Sequence, residues 1–247
     1  MKTKTLSPLN RTMLSSAVIL MVAFGAPAQD APHIVWRTNG HTRMIHDLTF
    51  STDSALLASA STDRTGRVWQ INSRALVQSF SMRSEVLAIA ISSDNSMLAL
   101  GDASGNWGIW RLTDGVPVVP RGWEEGGQIV TALSFSPDDA FFAKARTRSR
   151  LSITRKEFPP PPQPQMPYRM TISGDFPHPE VVPVYDVQFS RDGNWLAAGL
   201  SDSTATVYRL AEGFEERVLR GHSGSIVSVD FSPDSRMLAF VSNSNLE

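Results

Sequence analysis

The chain has 247 residues, a formal net charge of −1 and no cysteine. Disulfides and thiol chemistry are thereby excluded, and the near-neutral balance argues against general nucleic-acid binding, which needs a concentrated excess of Lys and Arg. With 41% hydrophobic residues, the chain can bury a sizeable core without cross-links.

Residues 1–28 differ in kind from the rest. Lys2, Lys4 and Arg11 make a positive start, Met13 to Phe24 is mostly apolar, and Ala26-Pro27-Ala28 sets small residues at the two positions a signal peptidase reads. This is the pattern of a signal peptide cleaved before Gln29, at the membrane only in transit, so a periplasmic or extracellular location is expected. The apolar run is short for a membrane-spanning helix of about 20 residues, and an uncleaved anchor is the alternative. Removal of those three charges takes the net charge from −1 to −4.

Ile34 to Thr38 predicts a short strand standing ahead of any complete repeat. From Gly40 to Ile71 the chain alternates apolar residues (Ile45, Leu48, Phe50) with polar ones, turns at Ser51 to Ser54, runs apolar again over Leu56 to Ala60, and reaches Val68-Trp69 after a second turn. Runs this short, separated by turn residues and with no sustained helical period, predict antiparallel strands. The unit recurs: Ile91, Phe135, Phe189 and Phe231 take the place of Phe50, at intervals of 41, 44, 54 and 42 residues. Four strands in about 40 to 45 residues is the length of one propeller blade.

These residues resemble the WD40 repeat family, here in an exported, bacterial form. Gly40 and His41 stand at its Gly-His position, Asp63 in the inter-strand turn, Trp69 at the tryptophan position, and Gln70 where the family usually has Asp. The resemblance implies a β-propeller. It implies that His41, Asp63, Trp69 and a strand hydroxyl, Ser59 or Ser61, form a hydrogen-bonded network inside the blade. Physical chemistry agrees, since a buried imidazole and carboxylate are costly unless each has a partner. It also implies that the leading strand becomes the outer edge of the last blade and closes the ring.

The second unit, about Ser81 to Arg121, has Met82 in the His slot and Ser104 in the Asp slot, while Trp110 keeps the aromatic place. The third, about Gly126 to Ser173, departs furthest, with Arg148 and Thr154 in the Asp and Trp slots. There Lys144, Arg146, Arg148 and Arg150 alternate with other residues, so Arg146, Arg148 and Arg150 are candidates for meeting an anionic partner; an ordinary solvated face is the alternative. Pro159 to Pro162, Pro164 and Pro167 cannot form an interior strand and predict an extended loop over 159–167. In the fourth unit Asp202 takes the turn slot, Tyr208 replaces Trp, and Glu180 holds the His slot with His178 two residues earlier. The fifth opens on Gly221-His222 and runs from Phe231-Ser232-Pro233-Asp234 to Phe240-Val241-Ser242, a phrase that also resembles TolB-type periplasmic propellers.

The expected fold is therefore all-β, four four-stranded blades and half of a fifth: a piece of a longer propeller of about seven blades, or one that closes by pairing its open blade with another chain. His41, Asp63, Trp69, Asp202 and His222 are assigned to the structural network. No residue is assigned to catalysis, to a cofactor or to a metal: there is no nucleophile elbow, phosphate loop or paired-His motif. The expected function is a non-enzymatic scaffold that binds protein partners and not nucleic acid, in the cell envelope or outside the cell. A propeller that binds a small molecule or glycan is the alternative.

Overall fold

A computed structural model describes residues 21–23, 33–36, 40–122, 127–147, 151–157, 169–175, 182–210 and 216–243. Two short strands, β1 (Met21–Ala23) and β2 (His33–Trp36), pair with each other. Four antiparallel four-stranded sheets follow in chain order. The first holds β3 (Ile45–Phe50), β4 (Leu56–Ser61), β5 (Thr65–Gln70) and β6 (Ala75–Ser81). The second holds β7 (Val86–Ile91), β8 (Met97–Asp102), β9 (Trp107–Arg111) and β10 (Pro117–Gly122). The third holds β11 (Val130–Phe135), β12 (Phe141–Arg146), β13 (Ser152–Glu157) and β14 (Arg169–Asp175). The fourth holds β15 (Val184–Phe189), β16 (Trp195–Leu200), β17 (Ala205–Arg209) and β18 (Glu216–Leu219). The fifth unit has two strands, β19 (Ile226–Phe231) and β20 (Leu238–Ser242). The structure is thus an incomplete propeller of four blades and half a fifth, with no helix among the described residues.

The turn after each inner strand has one design. Ser51, Ser92, Ser136, Ser190 and Ser232 each donate their hydroxyl to the Asp two residues on, at 2.5 to 2.6 Å. The residue after that Asp has positive φ, between 55° and 72°, and donates its amide back to the Ser carbonyl. Residues that tolerate the left-handed region fill this place: Ser54, Asn95, Asp139, Gly193 and Ser235.

Blades stack in sequence order by setting large residues into small ones. Leu100 of the second blade faces Gly66 of the first, Val130 of the third faces Gly101 of the second, and Ile226 of the fifth unit faces Gly199 of the fourth. Each glycine lets the next blade approach closely; an added Cβ there would lie 2.3 to 2.9 Å from the opposing side chain. Ala58, Ala60 and Val68 likewise meet Val86, Ile89 and Leu98. Among the described residues the front of the first blade has no such neighbour: Leu48 is 51% exposed and Phe50 56%, whereas their counterparts Val187 and Phe189 are buried in the core.

The leading strand does not close the fifth unit. It pairs instead with Met21–Ala23, inside the expected leader, in the register Ala23 to His33. Among the described residues no third strand lies beside β20, and the backbone groups of β2 find a partner nearer in the chain. The rest of the expected leader and the proline run, between β13 and β14, lie outside the described residues.

Candidate functional site

The best-defined polar constellation lies inside the first blade, where β4 and β5 carry Ser59, Trp69 and the Asp63 turn onto the loop that holds His41. His41 Nδ1 lies 2.9 Å from Asp63 Oδ2 and Nε2 lies 2.7 Å from Ser59 Oγ. A carboxylate only accepts, so the Nδ1 proton points to Asp63; Nε2 then accepts from the Ser59 hydroxyl. Ser59 Oγ in turn accepts from Trp69 Nε1 at 3.2 Å. Asp63 also receives the Thr42 amide at 3.1 Å and the Thr65 hydroxyl at 2.6 Å, and Arg67 Nη2 approaches it at 3.7 Å. Of the two candidate hydroxyls, Ser59 joins the relay; Ser61 donates to the Arg43 carbonyl and accepts the Asp63 amide.

Burial works against the Asp63 carboxylate, but the hydrogen bonds from Thr65, His41 and Thr42 outweigh it and hold its carboxyl at about 2. Burial pushes the His41 imidazole below its usual range, which keeps it neutral and suited to donating at one nitrogen while accepting at the other. The order Ser, His, Asp is that of a hydrolytic triad, yet Ser59 and His41 are both buried. The hydroxyl is enclosed between indole and imidazole, with no space for a substrate carbonyl. The constellation is a brace, tying the loop before β3 to β4 and β5.

The other units replace this brace residue by residue. The place of Ser59 is taken by Leu100, Lys144, Ala198 and Phe240, read from the matching strand registers. Lys144, expected beside the exposed arginines, is 5% exposed, and its Nζ lies 4.1 Å from the centre of the Trp107 ring in the preceding blade. Trp107 also stacks on Phe142 at 5.9 Å. Asp202 accepts the amide and hydroxyl of Thr204 and shapes its own turn. His222 is exposed and lies 2.7 Å from Ser242 Oγ, with Phe240 at its edge, so it stands apart from Asp202. Arg146 is half-buried at the end of β12; Arg148, Arg150, His178 and Glu180 lie outside the described residues. Asp102, not singled out from the sequence, is fully buried and accepts the amides of Ser104 and Asn106. Its signal was there: two residues before the Asp slot, ahead of a Gly-Asn turn.

A central cavity of about 600 Å³ runs between the inner strands of all five units. Every inner strand has an irregularity around its second residue, and His46, Leu87, Thr131, Tyr185 and Val227 there all line the cavity. Asp47, Asp186 and Asp230 also line it, with no Lys or Arg among the described lining residues. Two of these carboxylates are occupied: Asp47 accepts the Ile89 amide of the next blade, and Asp186 the Val229 amide. Among the described residues, no group of three or more His, Cys, Asp and Glu is placed to hold a metal ion.

At the Gly-His end of the cavity, one contact recurs in every unit. The amides of Thr62, Ala103, Thr147, Ser201 and Asn243 donate to the carbonyls of Met44, Glu85, Ile129, Pro183 and Ser225. This ties the loop entering each inner strand to the turn leaving the second strand, and makes that end a rigid platform. The family model for the WD domain, G-beta repeat, matches residues 33–70, 172–209 and 213–245. The chain is a WD40-repeat protein. Each WD40 match takes in the strand before a unit's inner strand, so the sequence repeat is offset from the structural blade by one strand. The matches leave out residues 71–171, which hold the second unit and most of the third.

Among similar proteins, WD repeat-containing protein SL1-17 of Schistosoma mansoni is 26% identical over 211 residues, 84% of this WD40 chain and 62% of the relative. Small ribosomal subunit protein RACK1y of Oryza sativa subsp. japonica is 26% identical over 175 residues, 70% of this chain and 49% of its own length. A Periodic tryptophan protein 2 homolog of Neurospora crassa is 33% identical over 79 residues, 32% of this chain and 9% of the relative. The chain thus spans half or less of the length of the last two.

Proposed function

We propose that this WD40 chain is a non-enzymatic scaffold that holds an acidic segment of a protein partner against its Gly-His end. The observation that carries the reading is the charge of that end. Arg43, Arg64, Arg83 and Arg220 are exposed on the loops that share it, and Arg146 leads into another, outnumbering the exposed Asp202 and the half-buried Asp63 and Glu85 on the same loops. Loops on a rigid repeat scaffold commonly carry recognition, and arginine suits carboxylates because its planar fork binds them in pairs. Arg148 and Arg150, next along the chain from Arg146, extend the same positive run. The buried hydroxyl of the brace supports a binding role over a hydrolytic one. The leader pattern of residues 1–28 supports export, which places the partner in the cell envelope or outside the cell.

The test titrates a labelled peptide of alternating Glu and Ser with the full chain and with the Arg43→Glu, Arg64→Glu, Arg83→Glu variant. The wild type is expected to bind at low salt, and the variant to bind at least about tenfold more weakly with an unchanged melting temperature. Equal binding by both chains, or none by the wild type at low salt, would overturn the reading.

A further inference from the structure

The Ser-x-Asp turns at the opposite end, the floor of the propeller, touch one another across blade boundaries. In the first pair, the Thr52 amide donates to Asn95 Oδ1 at 3.0 Å. In the second, the Ser93 and Asp94 amides donate to the two oxygens of Asp139 at 2.7 and 2.8 Å. In the fourth, the Asp192 amide donates to Ser235 Oγ at 3.1 Å. The acceptor is in each case the positive-φ residue of the following blade, and the donor is an amide of the preceding blade's turn. The third pair departs in both partners at once. Pro137 has no proton to give, which leaves the turn only the Asp138 amide, and opposite it stands Gly193, which has no side chain to accept one; the proline ring lies 3.8 Å from where a Cβ on Gly193 would be.

We propose that the positive-φ residue of each floor turn is a neighbour-recognition element, its side chain matched to the amides that the preceding turn directs at it. Four blades of similar outline have to dock in one order. Large-into-small packing recurs at several boundaries and therefore discriminates little between them. The floor contacts differ at every boundary: an amide side chain, a carboxylate, nothing, a hydroxyl. A blade docked behind the wrong neighbour would leave the buried Asp139 carboxylate facing a proline, a mismatch that removes one of the two amides which the correct order supplies.

The prediction is a specific non-additivity, measured by thermal and urea unfolding of the full chain. Ser93→Pro and Asp139→Gly should each lower the midpoint, by about 2–4 °C if each forfeits roughly 1 kcal/mol. The double variant, which copies the Pro137 and Gly193 pair, should be no less stable than the worse single variant. Asp139→Asn, which copies Asn95, should hold most of the wild-type midpoint and serves as the readout if either single variant fails to fold. Additive losses in the double variant, or an Asp139→Asn midpoint as low as that of Asp139→Gly, would overturn the proposal.

Discussion

His41 and Asp63 show how one buried pair makes the molecule sensitive to acid. The folded Asp63 carboxyl sits at about 2, below its ordinary 3.8, so its contribution is complete above pH 3.8 and is lost as the pH falls toward 2. The folded His41 imidazole is also lowered, so below about 6.5 the unfolded chain takes up the proton first and stability declines in the same direction. The melting temperature is expected to be level above pH 7, to fall below about 6.5 and to fall more steeply below 4. His41→Ala should lose the part of the decline that sets in below about pH 6.5. His41→Ala and Asp63→Ala should each cost about 1–3 kcal/mol at pH 7, with a double variant less destabilised than the sum. Calorimetry across pH on the wild type and three variants checks all of these. A wild-type midpoint that rises on acidification from pH 7 to 5 would contradict the neutral-imidazole account.

Between elements, the glycines decide how closely blades approach. At Gly101 an added Cβ would meet Val130 Cγ1 at 2.3 Å and Val130 Cβ at 2.7 Å, atoms close to the backbone of β11. At Gly66 the nearest atoms are the terminal carbons of Leu100, which can rotate aside. Gly101→Ala is therefore expected to destabilise by about 1–3 kcal/mol, and Gly66→Ala by less, because strand glycines are otherwise unfavourable and alanine recovers part of the loss. Urea unfolding of both variants gives the order directly. Equal effects would mean that β11 can shift as easily as a leucine rotamer.

For the whole molecule, the open arc makes equivalent residues unequal. Phe50 and Phe189 hold the same place in their inner strands, yet one is exposed at the front of the first blade and the other is enclosed by its neighbours. Phe189→Ala is expected to cost about 3–5 kcal/mol, and Phe50→Ala within about 0.5 kcal/mol, while the latter reduces self-association by removing exposed apolar surface. Unfolding midpoints and sedimentation of the two variants test this. Comparable losses would show that the front of the first blade is covered in solution.

The period of the apolar runs, the polar turns and the Gly-His pairs determined the four blades and the two-stranded fifth unit, but not the β1–β2 pair. Those features are local, repeated and chemically constrained, and a strand's alternation or a left-handed turn needs no distant partner to be recognised. His41, Asp63 and Trp69 were legible through the WD40 resemblance, which implies their network, and a buried imidazole and carboxylate each need a partner. What lies between repeats was decided only in three dimensions. Lys144 reads as one of a run of surface cations until β12 turns it onto Trp107 of another blade, and Asp139 reads as a second turn aspartate until Ser93 and Asp94 approach it from 45 residues away. The resemblance gives the leading strand a ring-closing place that a two-stranded fifth unit denies it; its pairing with Met21–Ala23 was decided by which free edge lies within reach, and no sequence period records that.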